Sequence, residues 1–542
     1  GYADFRVTSA VAELTPDRKD FFITFTVEEG EEYNFGEISV ETSLEKLDAE
    51  RLENFVGIQE GALFNAEQIE NAEDSLTFAA GVAGYAFVDI RPRISRNRVD
   101  RTVDITFQVN EGPRVYIERI NIGGNTRTLD QIIRREMRIA EGDAFNRILL
   151  DRSEQRVRSL GFFGQVEVTE EPGTTPDRSI VNLSVEERST GTFSVGVGFS
   201  SIDNFIADVS IQERNLLGRG QFLRFRVSAS SRRQQIDLRF TEPYFLDRNL
   251  AAGFELFSIR TNFRESSFDN FTNGVGINAG FPISEYGRMG LRYTFRLDDI
   301  DIDNDILCEN ELNARTSLCR SAGQRTTSSI GYSVSYDFRN DPIRPSRGWR
   351  WVWSQDLAGV GGDVNYVRTE TSISYFKPIW KGLIANVRGN AGYIEGWAGR
   401  DVRLNDRFFR GATSFRGFRV AGVGPRDLDL DDPIGGKLYA IGTAEVFFPL
   451  GLPEEFGVRA GLFSDFGTVG LLDPRDRLDP FTSQDGIEFE GTRDDLSLRV
   501  TAGVSVSWDS PFGPIRLDFA EVFAREDYDR TEGFRFSAGT SF

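Results

Sequence analysis

From Leu496 to Trp508, apolar and polar residues alternate without a break. Leu496, Leu498, Val500, Ala502, Val504, Val506 and Trp508 take one set of positions, and Ser497, Arg499, Thr501, Gly503, Ser505 and Ser507 take the other. Successive side chains of a strand point to opposite faces, so this spacing predicts an apolar stripe opposite a polar one. The pattern returns in Phe193, Val195, Val197 and Phe199, and again in Leu223, Phe225, Val227 and Ala229. About sixteen such stretches fit between residues 191 and 542, and an even number of dyad strands predicts a transmembrane β-barrel of antiparallel strands. Closure of the ring satisfies every backbone group without water. A soluble β-sandwich also buries an apolar stripe, but it does not need arginines spread over the other face of so many long strands. Short turns such as Ser284-Glu285-Tyr286-Gly287 and Trp508-Asp509-Ser510-Pro511 alternate with longer acidic connections such as 298–323 and 395–436. That asymmetry puts the short turns on the periplasmic side.

Before residue 189 the period changes and the chain repeats itself. Phe25-Thr26-Val27-Glu28-Glu29-Gly30 returns as Phe107-Gln108-Val109-Asn110-Glu111-Gly112. Glu60-Gly61-Ala62-Leu63-Phe64-Asn65 returns as Glu141-Gly142-Asp143-Ala144-Phe145-Asn146. Gly84-Tyr85-Ala86-Phe87-Val88 returns near Gly161-Phe162-Phe163, and the opening Gly1-Tyr2-Ala3-Asp4-Phe5 is that element once more. Each copy is about 80 residues and reads strand–helix–helix–strand–strand, a small α+β module. The chain is thus expected to begin inside a third, truncated copy (1–32), followed by complete modules at 33–112 and 113–188 and a barrel at 189–542. In the second complete module, Thr128 is the expected cap of a helix holding Ile132, Ile133 and Met137. A second helix carries Ile148, Leu149, Val157 and Leu160 and stops at Gly161.

Composition then removes whole classes of function. There is no histidine among 542 residues, which excludes Ser-His-Asp and Cys-His nucleophiles, histidine zinc sites and histidine acid–base catalysis. The histidine-dependent phospholipases and surface proteases of outer-membrane barrels fall with them. The net charge of −21 argues against a nucleic-acid partner. No apolar run is long enough for a spanning helix. Cys308 and Cys319 lie in a polar loop, where one small disulfide or two free thiols are open readings. The acidic run Asp298–Asp305 has Ile306 and Leu312 where a calcium loop counted from Asp301 needs glycine and glutamate. It reads as a solvated surface loop, and Asp427–Asp432 is read the same way.

Modules of two helices and three strands ahead of a sixteen-strand barrel resemble the BamA family of outer-membrane assembly factors, with its POTRA modules. The likeness covers essentially the whole chain. Phe415-Arg416-Gly417-Phe418, in the long sixth outer loop, is similar to the family's V/I-R-G-F motif, with Phe415 replacing the aliphatic residue. Phe463-Ser464-Asp465-Phe466-Gly467 matches its F-x-D-x-G motif. Period two independently places Phe463, Asp465 and Gly467 on the lumen face and Leu462 and Phe466 on the lipid face.

The resemblance implies that the loop folds back into the lumen, where Arg416 meets Asp465 as a structural pair. It implies a lateral seam between the first and last strands, carrying Phe193, Gly196 and Gly198 on one side and Phe536, Gly539 and the terminal Phe542 on the other. Glycine contributes little packing to a strand, which weakens such a seam. The implied activity is the folding and insertion of other β-barrel proteins, without covalent chemistry, metal or cofactor. The implied partners are unfolded β-barrel clients, accessory periplasmic lipoproteins, outer-membrane lipids and lipopolysaccharide. A TamA-like assembly factor and a two-partner secretion channel are the alternatives, and a third module argues against the channel.

Overall fold

The computed structural model describes residues 6–14, 21–28, 30–44, 47–83, 85, 87–112, 115–302, 308, 316–342, 344–380, 382–451, 456–482, 488–510 and 513–539. The chain forms two units, Gly1–Ser189 and Thr190–Phe542.

The first unit opens with an antiparallel pair, β1 (Arg6–Leu14) and β2 (Phe21–Glu28). Next come β3 (Asn34–Thr42), α1 (Ala49–Val56), α2 (Ala66–Val82), β4 (Val88–Asn97) and β5 (Thr102–Glu111), forming a sheet in the order β3-β5-β4. The pattern repeats in β6 (Tyr116–Gly123), α3 (Asp130–Arg134), α4 (Arg147–Ser159), β7 (Phe163–Pro172) and β8 (Arg178–Glu187), in the order β6-β8-β7. Alternation on the central strand supplies each core: Val103, Ile105, Phe107 and Val109 of β5 are completely buried beneath Leu52 and Leu76 of the helices. Asn65 and Asn146, equivalent in the two repeats, cap α2 and α4 by accepting the amides of Glu67 and Leu149.

Thr128 does not cap α3. Leu129 occupies that position, and the Glu187 carboxylate accepts the amides of Arg127 and Thr128 instead. A carboxylate from a neighbouring strand does there what a local cap would do, and local spacing cannot reveal it.

The second unit is a closed antiparallel barrel of sixteen strands. In chain order these begin with β9 (Gly191–Ser200), β10 (Asn204–Leu216), β11 (Gln221–Ser230), β12 (Arg233–Glu242), β13 (Ala251–Phe263) and β14 (Phe268–Pro282). They continue with β15 (Gly287–Ile302), β16 (Gly323–Asp337), β17 (Gly348–Gly362), β18 (Tyr366–Trp380) and β19 (Leu383–Gly396). Short ladders β20 (Arg426–Asp427) and β21 (Asp432–Pro433) lie in the sixth outer loop before β22 (Leu438–Phe448) and β23 (Val458–Gly470). The next loop holds β24 (Phe481–Thr482), β25 (Glu488–Phe489) and β26 (Thr492–Arg493), and the ring ends with β27 (Arg499–Ser510), β28 (Gly513–Ala524) and β29 (Phe534–Gly539).

Three expectations change at the loop end. β27 starts at Arg499 rather than Leu496, because the Asp494 carboxylate takes the amides of Leu471 and Leu472 and the Asp495 carbonyl accepts from Arg499, drawing this segment out of the ladder. Asp298 is not solvated: it is buried on β15, accepts from the Thr272 and Thr327 hydroxyls at 2.8 and 3.2 Å, and pairs with Arg296. Asp427 and Asp432 are likewise buried, accepting from the amides of Asp429 and Leu430 and from the Ser267 hydroxyl. Each is held by a donor that an acidic count does not show. Positions 303–307 and 309–315 lie outside the described residues.

Candidate functional site

The sixth outer loop enters the barrel between β19 and β22 and places Phe415, Arg416 and Phe418 in fully or nearly fully buried positions. Phe415 and Phe418 meet edge to face at 5.0 Å, inside a cluster with Tyr439, Ile441 and Val469. Between them, Gly417 has φ +89°, and a Cβ there would lie 2.9 Å from the Thr501 methyl. Both the left-handed backbone and the close approach call for glycine.

Arg416 turns all three of its guanidinium nitrogens to two carboxylates. Its Nε and Nη2 donate to Asp465 Oδ2 and Oδ1 at 2.8 and 2.7 Å, its backbone amide adds a third bond to Oδ2 at 3.1 Å, and Nη1 donates to Glu445 Oε1 at 3.0 Å. The guanidinium also stacks 3.4 Å from the centre of the Phe463 ring. All three charged groups are buried, and bidentate pairing with hydrogen bonds to the carboxylates is what lets such charges leave water. Two lumen-facing turns of period-two alternation on β23 therefore serve one guanidinium: Phe463 by its ring, Asp465 by its carboxylate. Gly467, next on that face, has no room for a side chain, since a Cβ would lie 2.3 Å from the Ala440 carbonyl oxygen.

Thr443 and Glu445 were not anticipated. The Thr443 hydroxyl donates to Asp465 Oδ1 at 2.8 Å, and Glu445 accepts from Arg416 and Ser505. The available signal was a carboxylate on the lumen face of β22, two positions from a threonine.

The loop is also fastened to the last hairpin of the ring. Glu532 donates its amide to the Gly417 carbonyl, Arg419 donates its own to the Arg530 carbonyl, and Arg535 Nη2 donates to the Phe418 carbonyl at 3.1 Å.

The seam is short. β9 pairs with β10 along its whole length, Gly191 to Ser200. Toward β29, the described residues pair as Ser537–Ser200, Ala538–Phe199 and Gly539–Gly198, and beyond them the Ser201 amide donates to the Phe536 carbonyl at 3.0 Å. Gly539 (φ +135°) and Gly198 do more than thin the packing: a Cβ on Gly539 would lie 2.4 Å from the Gly198 Cα, so the two backbones touch where no side chain fits. Phe536 stands 6.3 Å from Phe199 across the seam. Phe193 and Gly196 have no described partner on that side, and Phe193 is 66% exposed. Phe542 lies outside the described residues.

Cys308 and Cys319 are joined as a disulfide, Cα–Cα 5.6 Å. No cluster of three potential metal ligands occurs among the described residues.

Residues 215–542, more than half of the chain, match the family model described as the Omp85 superfamily domain. The chain belongs to the Omp85 superfamily. Residues 33–112 and 115–188 match a second model, POTRA, described as a surface antigen variable number repeat. The Omp85 barrel and its repeats are together similar to the outer membrane protein assembly factor BamA of Neorickettsia risticii, 29% identical across all of this chain and 70% of that protein. The BamA of Neisseria meningitidis serogroup B is 26% identical over all of this chain and 71% of its own length. Among solved structures, BamA from Haemophilus ducreyi lacking POTRA domains 1–3 shares the Omp85 fold with a TM-score of 0.76, at 24% identity over 94% of this chain and all of that one.

Proposed function

We propose that this Omp85 protein resides in a bacterial outer membrane and folds and inserts other β-barrel proteins there. Strand-edge templating at the β9–β29 seam is the physical step. An unpaired strand edge carries a row of free amide and carbonyl groups and accepts any chain that can extend the ladder. The β9–β29 ladder, three register pairs among the described residues, supports this reading: parting those pairs gives up few backbone bonds, and the edge of β9 offers an incoming strand a longer row of amides and carbonyls in exchange. No covalent chemistry or cofactor enters such an exchange, because the new ladder replaces the old one.

The two repeat modules lie in the periplasm and the long loops outside, and the sheet edges β4 and β7 present strand edges to unfolded clients and to accessory lipoproteins. Outer-membrane lipid and lipopolysaccharide surround the apolar belt. The Arg416–Asp465 pair fixes the loop beside the seam.

The test is insertion itself. The full-length protein, reconstituted in liposomes, is given an unfolded outer-membrane barrel, and folding is followed by gel mobility and protease protection. Acceleration over empty and porin-containing liposomes is the expected result. Absence of acceleration, with export of a partner protein or steady conductance, would favour a secretion channel.

A further inference from the structure

Directly behind the seam the barrel encloses a cavity of about 620 Å³. Ser200 and Ser537, which pair across the seam, both line it. In a chain of net charge −21, its wall carries five arginines, at 388, 410, 416, 516 and 535, against three aspartates, at 203, 465 and 518.

Two of these arginines are satisfied: Arg416 as described, and Arg516 by Asp518, with Nε 2.9 Å from Oδ2. The other three have donors to spare. Arg388 on β19 comes no closer than 3.6 Å to Glu445, facing its Oε2 beyond hydrogen-bond distance. Arg410 of the loop donates Nη1 to the Phe409 carbonyl at 3.3 Å, stands 3.7 Å from Glu370 and lies over the Tyr439 ring. Arg535 on β29 is 95% buried and bonds through Nη2 alone, to Phe418 O and Glu532, while its Nε has no acceptor. A buried donor without an acceptor is costly, and guanidinium forks match the geometry of planar or tetrahedral oxyanions. Tyr439, Ile441 and Ile206 add apolar wall, which suits an anionic group carried on an organic body.

We infer that this cavity is an oxyanion site for a phosphate or carboxylate group, held by Arg388, Arg410 and Arg535. A bound anion ties β29 to β19 and to the loop and, reaching Ser200 of β9 in the same wall, favours the closed seam. That second part rests on the seam reading above; the binding itself does not. By linkage, a client that opens the seam lowers the affinity for the anion by the same factor as the anion lowers the client's.

Binding is tested first on the full chain in zwitterionic nanodiscs, without client, titrating inorganic phosphate against chloride at constant ionic strength in a calorimeter. A saturable single site is expected, weakened about ten-fold or more in Arg388→Gln/Arg535→Gln. It is expected unchanged in Arg239→Gln, which pairs with Glu255 outside the cavity. Arg410→Gln, remote from the seam ladder, replaces the double variant if that one fails to reach folded gel mobility. No saturable binding, or equal affinity in the variants, overturns the site. For the gate, Phe199→Cys/Ala538→Cys is oxidised with and without phosphate; cross-linking about three-fold more complete with phosphate is expected, and equal yields overturn the gating role. Last-strand client peptides with and without acidic side chains identify the source: displacement of phosphate by the acidic peptide alone assigns the group to the client, and displacement by neither assigns it to a free anion.

Insertion measured separately distinguishes the two readings. A protein that binds phosphate but inserts nothing loses the assembly function and keeps the site.

Discussion

Arg499 and Asp529 form an ion pair from which water is wholly excluded, with both side chains at zero exposure and Nε 3.0 Å from Oδ2. Arg499 also donates to the carbonyls of Asp495 and Ser497. The pair ties β27 to the loop that leads into the last strand. Removing one member leaves the other charged and buried, at a cost of about 3–5 kcal/mol. Arg499→Met should therefore lower the temperature at which the protein loses its compact gel mobility. Arg499→Met/Asp529→Leu should recover much of that loss, and equal losses in the single and double variants would show that the carboxylate is not stranded.

Arg416 makes a two-pronged contact that lysine cannot reproduce. Arg416→Lys is expected to behave nearly as badly as Arg416→Ala, with loop residues 411–419 becoming accessible to protease and insertion falling at least several-fold. A lysine variant with ordinary protection and activity would mean that charge alone holds the loop.

Gly467→Ala brings a methyl to within 2.3 Å of the Ala440 carbonyl on the neighbouring strand. Backbone on both sides cannot yield as a side chain does, so the folded yield should fall sharply. Gly280→Ala on β14, where a Cβ meets only the Met289 carbonyl oxygen at an ordinary 3.7 Å, serves as the milder comparison.

A disulfide between Phe199→Cys and Ala538→Cys, which face each other in the seam ladder, should stop insertion when oxidised and restore it on reduction. Insertion that continues through a locked seam removes strand exchange there from the mechanism.

Burial pushes the Asp432 carboxyl in the sixth outer loop from 3.8 up to about 6, against the opposing hydrogen bond from Ser267. The folded loop thus holds the proton more tightly than the unfolded one. Its contribution is complete below the ordinary carboxylate range and is lost as pH rises through about 6. Proteolysis near residues 426–434 should be slower at pH 5 than at pH 7.5, and Asp432→Asn should remove most of the difference. An unchanged wild-type rate across that range would sink the assignment.

What the sequence made legible followed from short-range periodicity. Alternation named the faces of β23, so Asp465 and Phe463 could be placed in the lumen before any contact was known, and repeats marked the strand–helix order of the modules. Contacts made across the ring were not legible. Glu445 and Thr443 sit on β22, Arg535 on β29 and Glu187 on β8; nothing local distinguishes them from other lumen or edge residues. The acidic loops misled for the same reason, because Asp298 and Asp432 find their hydroxyl donors on other segments.

A closed barrel is a hoop, and a hoop under tension parts at its thinnest link. Among the described residues the β9–β29 ladder is that link, while the hairpin beside it is moored to the loop by Arg535, Arg419 and Glu532, and through the loop to β23, three strands away in the ring. Such a hoop can be undone at one place without unravelling: the break has one anchored bank, and the tear stops there. The other strands keep their ladders if that one parts, so under the proposed strand exchange a barrel of this shape can open and close again as the same molecule.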